Sequence, residues 1–304
     1  MAFHLAQLDK RARKFPWDEV LRADVPVRVE VATSKKSKIY HAGAAAQRIE
    51  TALRESHGIT ISAEADVAIK ARIDDNRVTL SIDSSGESLH KRGHKEAVGK
   101  APMRETLAAL MLRAAGFDGS GPVLDPMCGS GTFVLEAAEI ARGLHPGRSR
   151  DFAFMQLATF DEAAWQDMRR LSTQPRASMP TFYGSDRDAG AIRMSMANAE
   201  RTGVAQDVSF ACINATDVIR PDGPAGLVIC NPPYGARIGN QKMLFGLYAA
   251  LGTHLRSQFS GWKVAIVTSD PALAKAMGLP FGPKGPAIPH GGLKVWLFQT
   301  GPLP

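Results

Sequence analysis

Cysteine is scarce: the 304 residues hold three, Cys128, Cys212 and Cys230, and no two of them form a CxxC. Such spacing argues against a structural zinc site and against a disulfide framework, and fits free thiols in a reducing compartment. Long hydrophobic runs are missing as well. The stretch from Met243 to Leu255 carries no Asp, Glu, Lys or Arg, yet it is too short to cross a bilayer and contains His254. The opening "MAFHLAQLDKRARKF" places apolar residues ahead of basic ones, the reverse of a signal peptide. A cytoplasmic chain without membrane or metal is expected. No internal repeat or low-complexity tract stands out. A phosphate-binding P-loop is also absent: Gly93 to Lys100 has five residues between its glycines, not four, and runs into Ala101.

What is present begins with a 44% apolar composition, enough for a sizeable core in one large or two ordinary domains. The formal charge is +7, and basic residues gather in "KRARK" (Lys10 to Lys14), "KKSK" (Lys35 to Lys38) and "HKRGHK" (His90 to Lys95). One such run is ordinarily a solvated face; three in the first third of the chain lean toward phosphate contacts. Lys35, Lys36, Lys38, Lys91 and Arg92 are the candidates.

The first ninety residues read as a small α/β module. "VPVRVEVAT" alternates with period two, "AGAAAQRIETALRES" is a helix closed by Gly58, and "ADVAIKARID" and "VTLSID" flank "DNR" as a hairpin. A boundary is expected near residue 95. Beyond it, a helix from Pro102 to about Ala115 should bury Leu107, Leu110, Met111 and Ala114. Strands "GPVLD", "TFYGSD", "VSFACIN", "AGLVICN" and "KVAIVTS" then alternate with helices, which predicts an open, mostly parallel sheet covered on both faces. The segment from Leu144 to Pro180 interrupts the alternation and reads as an excursion at the rim of the sheet.

In sheets of this kind ligands bind at the carboxyl ends of the strands. "VLDPMCGSGTF" is a strand, a turn with Gly129 and Gly131, and a helix start, so backbone and unpaired N–H groups can approach a ligand closely. The third glycine of a dinucleotide fingerprint is absent, since Thr132, Phe133 and Val134 follow Gly131; for the two glycines alone a structural turn stays open. Asp186, Asn214 and Asp217 fall at neighbouring strand ends. "ICNPPYG" puts Asn231 and Tyr234 at the same edge, held by Pro232 and Pro233, which fix φ and offer no donor. An amide oxygen there can accept from an exocyclic amine, as can the Pro232 carbonyl, and the Tyr234 ring can stack on a base.

"DPMCGSGT" with "NPPY" resembles the class I methyltransferases that methylate exocyclic or amide nitrogens with S-adenosylmethionine. "SLHKRGHK", "APMRETLAAL" and "DPMCGSGTFVLEAA" extend the resemblance to the THUMP-domain RNA methyltransferases, especially the branch acting on the 2-amino group of guanine in large-subunit ribosomal RNA. It implies a Rossmann-like methyltransferase sheet, mostly parallel with an antiparallel C-terminal strand, over residues 96–304, and a small THUMP-like RNA-binding α/β domain over 1–95. The element that usually precedes THUMP is expected to be shortened or absent. The resemblance further implies a cofactor site in the loop of Asp125, Pro126, Cys128, Gly129, Gly131 and Thr132, with Asp186 on the ribose and Asn214 on the adenine amine. Asn231, Pro232 and Tyr234 would hold the target base, in ribosomal RNA. A DNA adenine or protein glutamine methyltransferase, or an RNA-binding protein without activity, are the rival readings.

Overall fold

The computed structural model describes residues 1–96, 103–171, 180–235 and 241–304. It separates into two compact units, Met1–Ser88 with Arg150–Leu171, and Leu89–Ser149 with Ser172–Pro304. Among the described residues no helix is long and apolar enough to cross a membrane.

In the first unit α1 (Leu5–Arg13) is followed by β1 (Val27–Thr33), α2 (Ala42–His57), β2 (Val67–Asp74) and β3 (Arg77–Ile82). The strands lie in the order β1-β2-β3, the first pair parallel and the second antiparallel. The hairpin turns on Asp75 and Asn76, both at positive φ (46° and 61°), a conformation that Asp and Asn tolerate better than bulkier residues. Trp17, Ile49, Leu53, Val67, Ile69 and Ile73 form the core. Most of the described part of the excursion belongs to this unit. Its residues Arg150–Leu171, including the helix α5 (Glu162–Leu171), pack with this unit: Phe154 N–H donates to the Ser84 carbonyl at 2.9 Å and Ala158 N–H to that of Val20 at 2.9 Å.

The second unit is a seven-stranded sheet in the order β6-β5-β4-β7-β8-β10-β9. Its parallel members are β4 (Val123–Asp125), β5 (Phe182–Asp186), β6 (Val208–Cys212), β7 (Leu227–Cys230) and β8 (Lys263–Thr268). β10 (Leu293–Gln299) runs antiparallel to both β8 and β9 (Ile288–His290). Strand β7 has four consecutive buried residues, with Leu227 and Ile229 in one core and Val228 and Cys230 in the other, as a period of two requires of a strand covered on both faces. One face carries α3 (Glu105–Ala114), α4 (Thr132–Arg142) and α6 (Ala189–Thr202); the other carries α7 (Gln241–Gln258) and α8 (Pro271–Ala276).

Helix α3 departs from its expected face. Leu107, Ala108, Met111, Leu112 and Ala115 are buried, whereas Leu110 is exposed, as is Ala114. The buried stripe follows i, i+4, i+8 from residues 107 and 108, which turns Leu110 to the outer side. Pro102, the expected first helical residue, lies outside the described residues.

Candidate active site

Strand β4 delivers the glycine loop at the switch point of the sheet, where one neighbour is β5 and the other β7. Gly129 and Gly131 both take positive φ, 54° and 82°. At Gly131 a Cβ would stand 3.1 Å from Ser195 Oγ and 3.3 Å from Phe210 Cζ, so the loop is pressed against α6 and β6; at Gly129 it would meet no atom within 4 Å. Two polar side chains of α6, which the sequence pattern did not single out, brace this loop. Ser195 Oγ donates to the Gly129 carbonyl at 2.8 Å and Asn198 Nδ2 to that of Ser130 at 3.1 Å. Both residues are fully buried. Their signal was a pair of polar side chains three apart on the apolar side of "AGAIRMSMANAERTG".

Asp186 ends β5 beside this loop. Its Oδ2 accepts from Gly129 N–H at 3.1 Å and its Oδ1 from Asp188 N–H at 3.0 Å, which leaves further acceptor capacity on both oxygens. Asp125 is buried, and its Oδ1 accepts from Met127 N–H at 3.0 Å. Burial, helped by the negative charge of Asp186 and opposed by that hydrogen bond, pushes the Asp125 carboxyl up to about 8. Pro126 is buried, and the Cys128 side chain turns inward, 3.8 Å from Ser195 Oγ. Burial pushes that thiol well above its ordinary range, and the Cys128 backbone is held by its N–H on the Ser185 carbonyl at 2.8 Å and by Gly131 N–H on its own carbonyl at 2.8 Å. Asn214 is exposed after β6 and donates to Asp217 Oδ2 at 2.9 Å.

Asn231 follows the buried end of β7. Its Oδ1 is buried without a hydrogen-bond partner among the described residues. Tyr234 packs against both cores, and burial pushes its phenol up to about 12, so it stays neutral. Tyr248 of α7, another residue with no distinctive mark in the sequence, donates to the Pro233 carbonyl at 3.3 Å and pins the loop from beneath. The turn thus holds a buried acceptor without a partner among the described residues, three positions before an aromatic residue.

The candidate RNA contacts divide. Lys35, Lys36 and Lys38 are exposed on the first unit, and Lys91 is exposed on the second. Arg92 is not available to a phosphate: it is 4% exposed, with Nη2 on Glu136 and, at 3.2 Å, on Glu139, and Nε 3.6 Å from Glu105. His94 Nδ1 and Arg148 Nη2 each approach Glu139 Oε1 at 2.9 Å. Burial works against ionising Glu139 but is outweighed by the hydrogen bonds of His94 and Arg148 and by the charges of Arg92 and Arg148, which hold it below its usual range. Glu136 is pushed up to about 8 by burial, with Arg92 opposing and the neighbouring carboxylates assisting. This charge cluster ties the "HKRGHK" segment to α3 and α4.

A family model described as RMKL-like, methyltransferase domain (UPF0020) matches residues 92–281, more than half of the chain. The chain belongs to the RMKL-like methyltransferase family. A Synechocystis protein with a provisional RNA-methyltransferase name is 33% identical over 310 residues, 98% of this chain and 79% of that protein. The ribosomal RNA large subunit methyltransferase K/L of Vibrio cholerae is 40% identical over 220 residues, 70% of this chain and 31% of that protein. The chain thus spans between 31% and 40% of the length of the K/L relatives it matches. SMU.472, provisionally called a methyltransferase and solved with S-adenosylhomocysteine, superposes with a TM-score of 0.85 at 26% identity, covering 99% of this chain and 81% of that one.

RMKL-like methyltransferases use S-adenosylmethionine. The residues present fit that cofactor: a glycine loop with an open side at Gly129, a carboxylate at Asp186 with acceptor capacity left, and a helix start at Thr132 whose N-cap, Gly131, supplies no side-chain hydrogen bond.

Proposed function

We propose that the chain methylates an exocyclic amine of a base in RNA, with the 2-amino group of guanine in large-subunit ribosomal RNA as its target. The observation that carries this reading is the buried Asn231 Oδ1, which has no hydrogen-bond partner among the described residues, since an acceptor left without a donor calls for an explanation. The names of the K/L relatives support ribosomal RNA as the substrate, and such a substrate implies a cytoplasmic site of action.

Asp186 would hold the ribose hydroxyls of the cofactor, Asn214 the adenine amine, and the loop of Asp125 to Thr132 the methionine portion. When bound, S-adenosylmethionine supplies an electrophilic methyl group on a sulfonium. An exocyclic amine is a poor nucleophile, because its lone pair is delocalised into the ring. Asn231 Oδ1 accepts one of its N–H bonds and the Pro232 carbonyl the other, which pyramidalises the nitrogen and aims its lone pair. Tyr234 stacks on the base after it has left its own stack. The amine would form the new N–C bond as the methyl's bond to sulfur breaks, the electron pair of that bond staying on sulfur as a neutral thioether, and would afterwards release a proton to water. Tyr234, held as a neutral phenol, takes no part as a base. Positioning supplies the rate.

The first unit would act as a THUMP-like RNA-binding domain. Lys35, Lys36 and Lys38 point outward from the loop after β1, while Ser37 between them and Ile39 just after them are buried. Ser37 Oγ donates to the Ile73 carbonyl at 3.2 Å and Lys38 N–H to Asn76 Oδ1 at 2.8 Å. The loop is therefore fixed on the β2-β3 hairpin, and beside its lysines Tyr40 is 78% exposed. Replacing all three lysines by Ala should weaken RNA binding and reduce the slope of log K against log salt by about 2, since each phosphate of a single strand that is no longer neutralised lowers it by roughly 0.7. Unchanged binding and slope would exclude this loop from the interface.

The activity itself is tested by transfer of labelled methyl from S-adenosylmethionine to purified ribosomal RNA, transfer RNA, duplex DNA and protein, followed by nucleoside analysis. Label in N2-methylguanosine of ribosomal RNA is the expected result. Methyladenine or labelled protein would move the target, and cofactor binding without any label would favour a binding-only protein.

A further inference from the structure

The start of α4 attracts a charge of unexpected sign. Unpaired N–H groups make a helix N-terminus the positive end of its dipole, where acids are favoured and cations are not. Helix α4 has no acid in its first turn, yet a cation reaches it. Lys95 Nζ donates to Thr132 Oγ1 at 2.9 Å and to the Met103 carbonyl at 2.5 Å. Those two bonds occupy two of its three N–H groups. The nearby acids Glu105, Glu136 and Glu139 converge on Arg92 instead. Burial lowers the pKa of Lys95, against the pull of Glu105 and Glu136. A half-buried ammonium beside the positive end of a helix breaks a local electrostatic rule, and such breaches are expected where a ligand completes the arrangement.

We infer that Lys95, together with Thr132, receives the carboxylate at the amino-acid end of S-adenosylmethionine. The inference rests on the assignment of the glycine loop to that cofactor. The geometry of the loop supplies the direction. Asp186 grips its near end at Gly129 N–H, and Thr132 lies three residues further on, where α4 begins. With the ribose at Asp186, the amino-acid end of the molecule extends along the loop toward Thr132. A carboxylate there takes the remaining N–H of Lys95 and the N–H groups at the start of α4 that have no partner among the described residues, and balances the charge of Lys95. Lys95 is a binding residue in this role and takes no part in bond making. It explains why the basic segment "HKRGHK" belongs to the catalytic unit: Arg92 anchors the segment, and Lys95 delivers its charge to the cofactor.

The test is calorimetric binding of two probes to the full chain, S-adenosylmethionine and its decarboxylated form, which differ by the carboxylate alone. Lys95→Met should weaken S-adenosylmethionine about tenfold or more, the range for losing a charged hydrogen bond, and leave the decarboxylated form within about twofold of its wild-type affinity. Lys95→Gln, which keeps donors for Thr132 and Met103 without the charge, should show the same selective loss. Equal losses for both probes in Lys95→Gln, or wild-type affinity for S-adenosylmethionine in either variant, would overturn the inference. Should the wild-type chain bind neither probe, the cofactor assignment of the glycine loop falls, and this role for Lys95 with it.

Discussion

Asn231→Ala is expected to lower the rate of methyl transfer by about 10²–10³-fold, the range for removing one preorganised hydrogen-bonding group at a reacting centre, while cofactor affinity changes by less than about threefold. The split follows from where Asn231 stands. Its Oδ1 has no partner among the described residues, so removing that oxygen breaks no hydrogen bond among them. The glycine loop is braced by Ser195, Asn198 and Asp186, none of which bonds to Asn231. The turn after β7 is likewise held without it, by two prolines and by the Tyr248 hydroxyl on the Pro233 carbonyl. Removing the amide should therefore leave a folded, cofactor-binding protein that cannot orient an amine. Single-turnover rates with labelled cofactor, set beside calorimetric affinities, check both halves. A parallel loss of rate and affinity would reassign Asn231 to the cofactor.

Arg92→Ala should destabilise the catalytic unit by about 3–5 kcal/mol, the usual cost of taking one partner from a buried ion pair. Here one guanidinium serves Glu105, Glu136 and Glu139, all at most 5% exposed. At roughly 2–4 °C per kcal/mol for a body of this size, the melting midpoint should fall by about 6–20 °C. The defect carries a pH signature. A carboxyl whose folded-state pKa lies above its unfolded one adds stability below the unfolded value and loses it as pH rises to the folded value. For Glu136 that window runs from the ordinary 4.5 up to about 8. Burial raises Glu105 as well, and Arg92 is the first-ranked influence pulling both groups back down. Without it they rise further. The gap between variant and wild type should therefore widen as pH rises toward and past about 8, where Glu136 ionises in the wild type but stays protonated in the variant, as measured by thermal melts from about pH 6 to 9. A gap independent of pH would mean that the arginine acts by packing alone.

The same arginine marks where the sequence stops being legible. The alternation of apolar strands with helices made the parallel sheet readable, and "GSG" and "NPPY" located its carboxyl edge, because each motif imposes a backbone that few residue types can adopt. Charge was harder to read. "HKRGHK" carries the same basic residues as a solvated or phosphate-binding run, and nothing local reveals that Arg92 meets acids 13, 44 and 47 positions away, at residues 105, 136 and 139. The same holds for Ser195 and Asn198, whose partners in the glycine loop are more than sixty residues distant. In α3 the error was one of phase, since Leu110 and Leu107 satisfy an i, i+3 spacing and only the packed sheet selects the i, i+4 alternative. Local pattern fixes which element forms; long-range pairing decides which way it faces.

The return of the chain to its first unit at Arg150–Leu171 bears on how the molecule is made. On a ribosome the smaller unit emerges almost whole, yet its last helix is synthesised only after β4 and α4 of the larger one. The larger unit in turn cannot close its parallel β4-β5 pair until the chain has gone back to the smaller unit and returned. The smaller unit can therefore finish folding only once residue 171 has been made, with β4 and α4 of the larger one already synthesised, and a fragment ending at residue 95 would lack Phe152, Phe154, Phe160 and Trp165, four aromatic rings that pack stacked, tilted or edge to face in the intact protein.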